Sequence, residues 1–245
     1  MNTERKNQIL KILLKKKKVT VSELAQELYI SEPSIRRDLS ELEREKLIRR
    51  VHGGAILEEH SESLIKIPFL LRELEDHDAK TIIAQKAAEL VQDGDVVMMD
   101  ASSSAYAMIP YLAKKSNVTV ITNGIKSLMR LSEYGINAYS TGGHLLPSCF
   151  ALTNDDAHEI ISRYNADIAF FSCRGISPDG MATDFSIEEN TVRSKMMERS
   201  KKSVLLCAGK KLNKTYLHNL CHIRDLTAVI SEEELPENLK KALEG

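Results

Sequence analysis

No window of the sequence approaches the roughly 18 uninterrupted apolar residues that a membrane-spanning helix requires. The opening MNTERKNQIL has neither the apolar core nor the small-residue cleavage site of a secretion signal, so a cytoplasmic protein with no membrane partner is expected. Cysteine is scarce, with four residues at 149, 173, 207 and 221. Such wide spacing argues against a disulfide framework and predicts reduced thiols. The C-x2-C spacing of a structural zinc site is also missing. His218, Cys221 and His222 lie close together, but nothing in the sequence completes a tetrahedral set, so neither a metal nor another cofactor is expected.

What is present is ordinary in bulk and uneven in distribution. The 245 residues are 42% hydrophobic and 28% charged, values typical of a soluble globular protein, and their number suits one small and one larger domain. Residues 1–57 carry 13 Lys and Arg against 8 Asp and Glu, a net of +5, and residues 58–245 carry 21 against 27, a net of −6. A small basic module joined to a larger acidic one is the pattern expected when only the first meets a polyanion.

In the basic module, Ile9, Leu10, Leu13 and Leu14 recur at helical spacing, predicting a helix over 4–16 that the run Lys15 to Lys18 ends. Val19-Thr20-Val21 suits a short strand, and Ser22 is the expected cap of a second helix over 23–28. Ser31 is the expected cap of a third, with Pro33 tolerated in its first turn, running to about Lys46. Ile35, Leu39 and Leu42 fall at i, i+4 and i+7, so one face packs inward while Ser34, Arg36, Arg37 and Asp38 are left on the free face. Two helices joined by a short turn, the second with exposed arginine near its start, match helix-turn-helix geometry, in which early residues of the recognition helix reach base edges. Residues 47–56 then read as a β-hairpin with Gly53-Gly54 in its turn, a wing that presents Arg49, Arg50 and His52 to phosphate or the minor groove. Each arginine is suited either to a guanine edge or to a phosphate. The Lys15 to Lys18 run is expected to contribute non-specific phosphate attraction at most.

Residues 58–79 read as a charged linker containing a helical segment around 69–75, and the second domain is expected over 80–245. There, helices predicted at 81–91, 155–163 and 187–200 alternate with apolar runs at 96–99, 118–121, 138–141, 168–172, 204–207 and 227–230. That alternation implies an α/β fold with a largely parallel sheet covered on both faces. Ligands of such sheets bind at the carboxyl ends of the strands. Three of those ends carry Ser102-Ser103-Ser104, Thr122-Asn123 and Gly142-Gly143. The serines suit a phosphate at the start of the next helix, and the other two pairs suit close, polar contact with the rest of a small ligand. Arg174 follows a strand end and is equally suited to an anion or to solvent.

The segment ELAQELYISEPSIRRDLSELEREKLIRRVHGGA closely resembles the N-terminal signature of the DeoR family of bacterial transcriptional regulators, with S-x-x-S-I-R-R-D-L and a wing of R-x-H-G-G-A type, Ser34 replacing the usual threonine. The resemblance implies a DNA-binding set of Ser31, Ser34, Arg36, Arg37, Arg49, Arg50, His52 and Gly53, acting on a double-stranded operator. It also implies a second domain resembling sugar-phosphate isomerases in fold, which senses a phosphorylated sugar, and a protein that acts mostly as a repressor. By that resemblance Asp100 stands at the Asp of the family's D-x-G-T-T loop, Ser102 to Ser104 replace G-T-T, and Thr122-Asn123 and Gly142-Gly143 match its T-N and G-G positions. Arg193 stands at a basic position on the preceding helix. The family's A-D-x-S-K is replaced by Cys207-Ala208-Gly209-Lys210-Lys211, so only Lys211 aligns there.

The leading expectation is therefore a homo-oligomeric repressor of sugar-metabolism genes, relieved by a phosphorylated sugar. An alternative is a sugar-phosphate isomerase with an accessory DNA-binding domain, for which Asp100, Asp184, Glu188 or Glu189 would be the candidate base. An activator is a third expectation, since the sign of coupling depends on which conformer each ligand prefers.

Overall fold

A computed structural model describes residues 3–57 and 68–244, and the chain divides into two compact units between Glu75 and Asp76. In the first unit, α1 (Thr3–Lys16) buries Ile9, Leu10 and Leu13, and Lys17 in a left-handed conformation (φ 63°) turns the chain into β1 (Lys18–Thr20). The next helix, α2 (Val21–Leu28), is capped by Thr20 and not by Ser22. Thr20 Oγ1 accepts from the Glu23 amide at 3.1 Å, and the Glu23 carboxylate accepts from the Thr20 amide at 2.7 Å. The two residues thus form a T-x-x-E capping box that satisfies two otherwise orphan donors and draws Val21 out of the strand into the helix. Ser31 does precede α3 (Glu32–Arg44), but its hydroxyl makes no capping bond. Ile35, Leu39 and Leu42 meet Ile9, Leu10, Leu13 and Leu24 in one core.

The wing is β2 (Arg49–Val51) and β3 (Gly54–Ile56), with β3 central in an antiparallel sheet of order β1-β3-β2. Only Gly53 takes the left-handed turn conformation (φ 75°). Gly54 is a strand residue paired with Thr20 and Val51, and a Cβ there would collide with the Val19 carbonyl oxygen, so this glycine permits strand contact. The expected linker contributes structure on both sides of the division. Leu71 of α4 (Phe69–Leu74) belongs to the first unit's core, α5 (His77–Glu89) already opens the second, and residues 58–67 lie outside the described residues.

In the second unit α5 is followed by β4 (Val96–Met99), the short helices α6 (Ser103–Tyr106) and α7 (Ile109–Leu112), β5 (Thr119–Thr122), α8 (Ile125–Glu133) and β6 (Asn137–Ser140). A hairpin of β7 (His144–Leu146) and β8 (Ala151–Thr153) leads to α9 (Asp155–Ser162) and β9 (Ala166–Ser172). The chain continues through β10 (Gly175–Ile176), β11 (Met181–Asp184), α10 (Ile187–Glu198), β12 (Ser200–Leu206), β13 (His218–His222), β14 (Ala228–Ile230) and α11 (Glu237–Glu244). Six strands in the order β14-β12-β9-β4-β5-β6 form a wholly parallel sheet. Both faces are covered, as such a sheet requires. Val97, Met99, Val120 and Phe170 pack with Ile83, Ala87 and Leu112, whereas Met98, Ile121 and Ala169 pack with Ile161, Val192 and Met196 of α9 and α10. The β7–β8 hairpin and the antiparallel β10-β11-β13 sheet are additions that the sequence periodicity does not predict.

Candidate functional site

The start of α3 presents the first candidate site. Arg36 and Arg37 are exposed, as are Ser31 and Ser40, and no side chain caps the start of the helix. Ser31 and Ser34 share a hydroxyl contact of 3.0 Å, and Arg37 Nη2 donates to Ser34 Oγ at 3.3 Å. Arg36 is drawn sideways to Glu32 at 2.8 Å, an exposed i,i+4 pair of small energetic weight. Asp38 does not share this face. It is buried and accepts from Arg5 of α1 at 2.7 Å, so it ties the recognition helix to the first helix. On the wing, Arg49, His52 and Gly53 are exposed, whereas Arg50 is half-buried, with its Nη1 on Ser40 Oγ and its amide on Glu43, both at 2.8 Å. Arg50 therefore fixes the wing against α3, and Arg37, Arg49 and His52 stay available to a polyanion.

The second candidate site lies at the carboxyl ends of the parallel strands. Asp100, just past β4, is buried and accepts from the Ser102 amide (3.1 Å), the Ser172 amide (3.2 Å) and Arg193 Nε (2.9 Å). Arg193 itself is 3% exposed. Its Nη1 donates to Asp184 Oδ2 (2.8 Å) and Asn190 Oδ1 (3.0 Å), and its Nη2 donates to Glu189 Oε1 (3.4 Å). One guanidinium thus joins three carboxylates from β4, β11 and α10. Desolvation opposes the charge on Arg193, but Asp184, Asp100 and Glu189 outweigh it and raise its pKa further. Burial likewise pushes Asp184 up, yet Arg193, the Phe185 amide and Arg174 together hold its carboxyl below the usual aspartate range. A carboxylate so held is a poor general base at neutral pH, and Asp100 and Glu189 share the same guanidinium.

Lys211 stands one hydrogen bond away from this cluster. Its Nζ donates to Ser172 Oγ (3.1 Å) and to the Cys173 carbonyl (2.8 Å), and Ser172 is the residue whose amide reaches Asp100. Ser102, Ser103 and Ser104 are all buried, and Ser102 Oγ accepts from the Ala105 amide as the cap of α6. Thr122 Oγ1 accepts from the Gly124 amide at 3.0 Å, and Asn123 clamps the hairpin through Nδ2 to the Leu152 carbonyl (3.0 Å) and its own carbonyl to the Leu152 amide (2.7 Å). Gly142 and Gly143 have φ of 62° and 105°, and a Cβ on Gly143 would strike the Thr153 carbonyl, so the turn after β6 packs on the start of α9. The structure therefore brings Asp100, Ser102, Arg193 and Lys211 into one network and sets Thr122-Asn123 beside it through Gly124, which lies against Ala101. Gly142-Gly143 is placed farther round the same sheet edge. Ser172 and Asn190 are members that the sequence reading missed; Asn190, next to the i,i+4 pair Glu189 and Arg193, was the more findable. Arg174 lies with its guanidinium 6.0 Å from the centroid of the Phe185 ring.

Among the described residues no group of three or more His, Cys, Asp and Glu is arranged to hold a metal ion, and no helix is long and apolar enough to cross a membrane. Burial pushes the Cys221 thiol up to about 12, so it is uncharged at neutral pH.

Comparison with known proteins finds two family matches. The family described as DeoR-like helix-turn-helix domain matches residues 5–61, and that described as DeoR C terminal sensor domain matches residues 75–233. An uncharacterised HTH-type transcriptional regulator of Bacillus subtilis is 32% identical over 98% of this chain and 93% of its own. An L-fucose operon activator of Haemophilus influenzae is 32% identical over 93% and 90%, and a lactose phosphotransferase system repressor of Staphylococcus epidermidis is 26% identical over 97% and 95%. Among solved structures, eIF2B delta from Chaetomium thermophilum matches 68% of this chain and 62% of that one, with a TM-score of 0.50 and 20% identity. Ribose 5-phosphate isomerase A from Methanocaldococcus jannaschii matches 56% and 55%, with a TM-score of 0.44 and 19% identity. These last two are likenesses of fold alone. The open face of α3, the wing beside it and the two family matches that together span most of the chain make this protein a member of the DeoR family of DNA-binding transcriptional regulators.

Proposed function

We propose that the chain is a sequence-specific repressor of genes of carbohydrate metabolism, acting in the cytoplasm and relieved when a phosphorylated sugar binds the second unit. The observation that carries this reading is the strand-end cluster, in which Asp100 after β4 and Ser172 at the end of β9 meet a buried Arg193 and Lys211, in a chain whose other unit offers Arg37, Arg49 and His52 to DNA. Relatives named for the L-fucose operon and the lactose phosphotransferase system support a sugar-related target. Because one small winged module reads only a short site, two or more chains are proposed to bind paired half-sites.

Fluorescence anisotropy with duplexes taken from upstream of the chain's own gene tests this. Specific binding is expected to weaken steeply with salt, as counterion release demands, and to be reversed by millimolar amounts of one phosphorylated sugar from a panel. Binding that is indifferent to sequence, or to every phosphorylated sugar, would overturn the reading.

A further inference from the structure

At the start of α8 two buried polar atoms, Asn123 Oδ1 and Ser127 Oγ, have no hydrogen-bond partner among the described residues. Their residues are 2% and 1% exposed. Buried polar groups are nearly always satisfied, so two unmatched atoms four residues apart, in one strand-end loop and the helix that follows it, need a reason. The Asn123 amide is oriented by its Nδ2 on Leu152, which leaves Oδ1 presented as an acceptor. Ser127 is the third residue of α8, and its Oγ lies 3.0 Å from the point that a Cβ on Gly124 would occupy. That same point is 3.1 Å from Ala101 Cα, so the hydroxyl sits over the mouth of α8, at the seam between the loops after β4 and β5.

The mouth of α8 lacks a side-chain cap, since its N-cap is Gly124. What stands there is a main-chain carbonyl from the hairpin turn, with Phe150 O accepting from the Ile125 amide at 2.9 Å. The Lys126 ammonium lies 4.9 Å from the centroid of the Phe150 ring. The serine loop after β4 is already occupied by comparison. Ser102 Oγ caps Ala105, the Ser102 amide is held by Asp100, and the helix that follows has only four residues.

Building on the function proposed above, we infer that the anion seat of the pocket is the N-terminus of α8 and not the serine loop. A phosphomonoester displaces the Phe150 carbonyl, accepts from Ser127 Oγ and the first-turn amides beside Lys126, and donates one of its own hydroxyls to Asn123 Oδ1. Helix N-termini favour such anions through their free amides and dipole. A hydroxyl beside the phosphate is required because Asn123 offers an acceptor, so the ligand is a phosphorylated polyol and not a bare oxyanion. Both atoms are covered in the free protein, so the turn at 147–150 moves aside on binding.

Calorimetric titration of the full chain with glycerol 3-phosphate, ribose 5-phosphate, fructose 1-phosphate and inorganic phosphate tests the inference, using Ser127→Ala and Ser102→Ala. In wild type, a phosphorylated polyol is expected to bind more tightly than inorganic phosphate. Ser127→Ala is expected to raise the Kd of that polyol about 10- to 100-fold, the worth of a hydrogen bond to a charged group, with the melting temperature of the free protein unchanged or higher. Ser102→Ala is expected to lower the melting temperature, because a helix cap is lost, and to raise that Kd less than Ser127→Ala does. Wild-type affinity in Ser127→Ala, or inorganic phosphate binding as well as any polyol, overturns the inference while the sugar-sensing reading stands. A Ser127→Ala protein of lowered melting temperature shows that the hydroxyl is structural, and also overturns it. If wild type binds none of the phosphorylated probes, the inference and the proposed function fall together.

Discussion

Arg193→Ala is expected to destabilise the second unit by about 3–5 kcal/mol, the cost of leaving buried charge without its partner. Three carboxylates, Asp100, Asp184 and Glu189, converge on this one guanidinium, and none retains a cation of comparable burial once it is gone. A domain has about 5–15 kcal/mol of total stability, so the loss moves the melting transition by many degrees. The chain has no tryptophan, so scanning calorimetry or far-ultraviolet circular dichroism is the practical readout. The effect has a definite pH dependence. Asp184 is held below the usual aspartate value of 3.8 in the folded protein, so the stability it confers is present above that value and is lost as pH falls through the lower, folded value. In Arg193→Ala the buried Asp184 carboxyl loses its main cation and resists ionisation, so acidification relieves it. The gap between wild type and variant is therefore expected to shrink from pH 7 toward pH 4. A variant within about 1 kcal/mol of wild type at pH 7, a tenth or so of the stability of such a unit, would contradict this account of the cluster.

Arg37→Ala is the second large effect, and it falls on DNA binding. Arg37 is exposed and, among the described residues, held by a 3.3 Å contact to Ser34, whereas Arg36 must first release Glu32. Arg37→Ala is thus expected to weaken operator binding more than Arg36→Ala, by about 1–3 kcal/mol, or roughly 10- to 100-fold. Anisotropy on the operator and on single-base variants separates two modes of contact. Contact to a base removes preference at one position. Contact to phosphate weakens all duplexes alike and lowers the salt slope by about one. Affinities of both variants within twofold of wild type would place the DNA-reading face elsewhere.

The winged module was readable because its signals are local. Ile35, Leu39 and Leu42 mark a helix face within eight residues, and a short turn with paired arginines follows from the same stretch. Asp38 reads as a free-face residue in sequence because its inward partner, Arg5, lies 33 positions away. Ser22 is the more obvious cap in sequence although T-x-x-E at Thr20 carries its own capping signal, and Gly54 reads as a turn glycine although the neighbouring strand touches it. In the second unit, the buried parallel strands show as apolar runs. By contrast β7, β8 and β10 have two or three residues each and pair through contacts that periodicity does not encode. The candidate site followed the same rule. Strand-end serines and glycines are visible in sequence, but the role of Arg193 depends on Asp100, 93 residues earlier, and the unmatched oxygens of Asn123 and Ser127 exist only in the folded chain.

DNA bound by α3 and an anion bound at the strand ends are expected to oppose one another. Linkage requires the effect to be reciprocal. The most direct measurement is a pair of titrations on the full chain: operator affinity with and without a saturating phosphorylated sugar, and sugar affinity with and without saturating operator. Each ligand is expected to weaken the other by the same factor, about 5- to 150-fold for a coupling of ordinary size. Two affinities that ignore each other would contradict it.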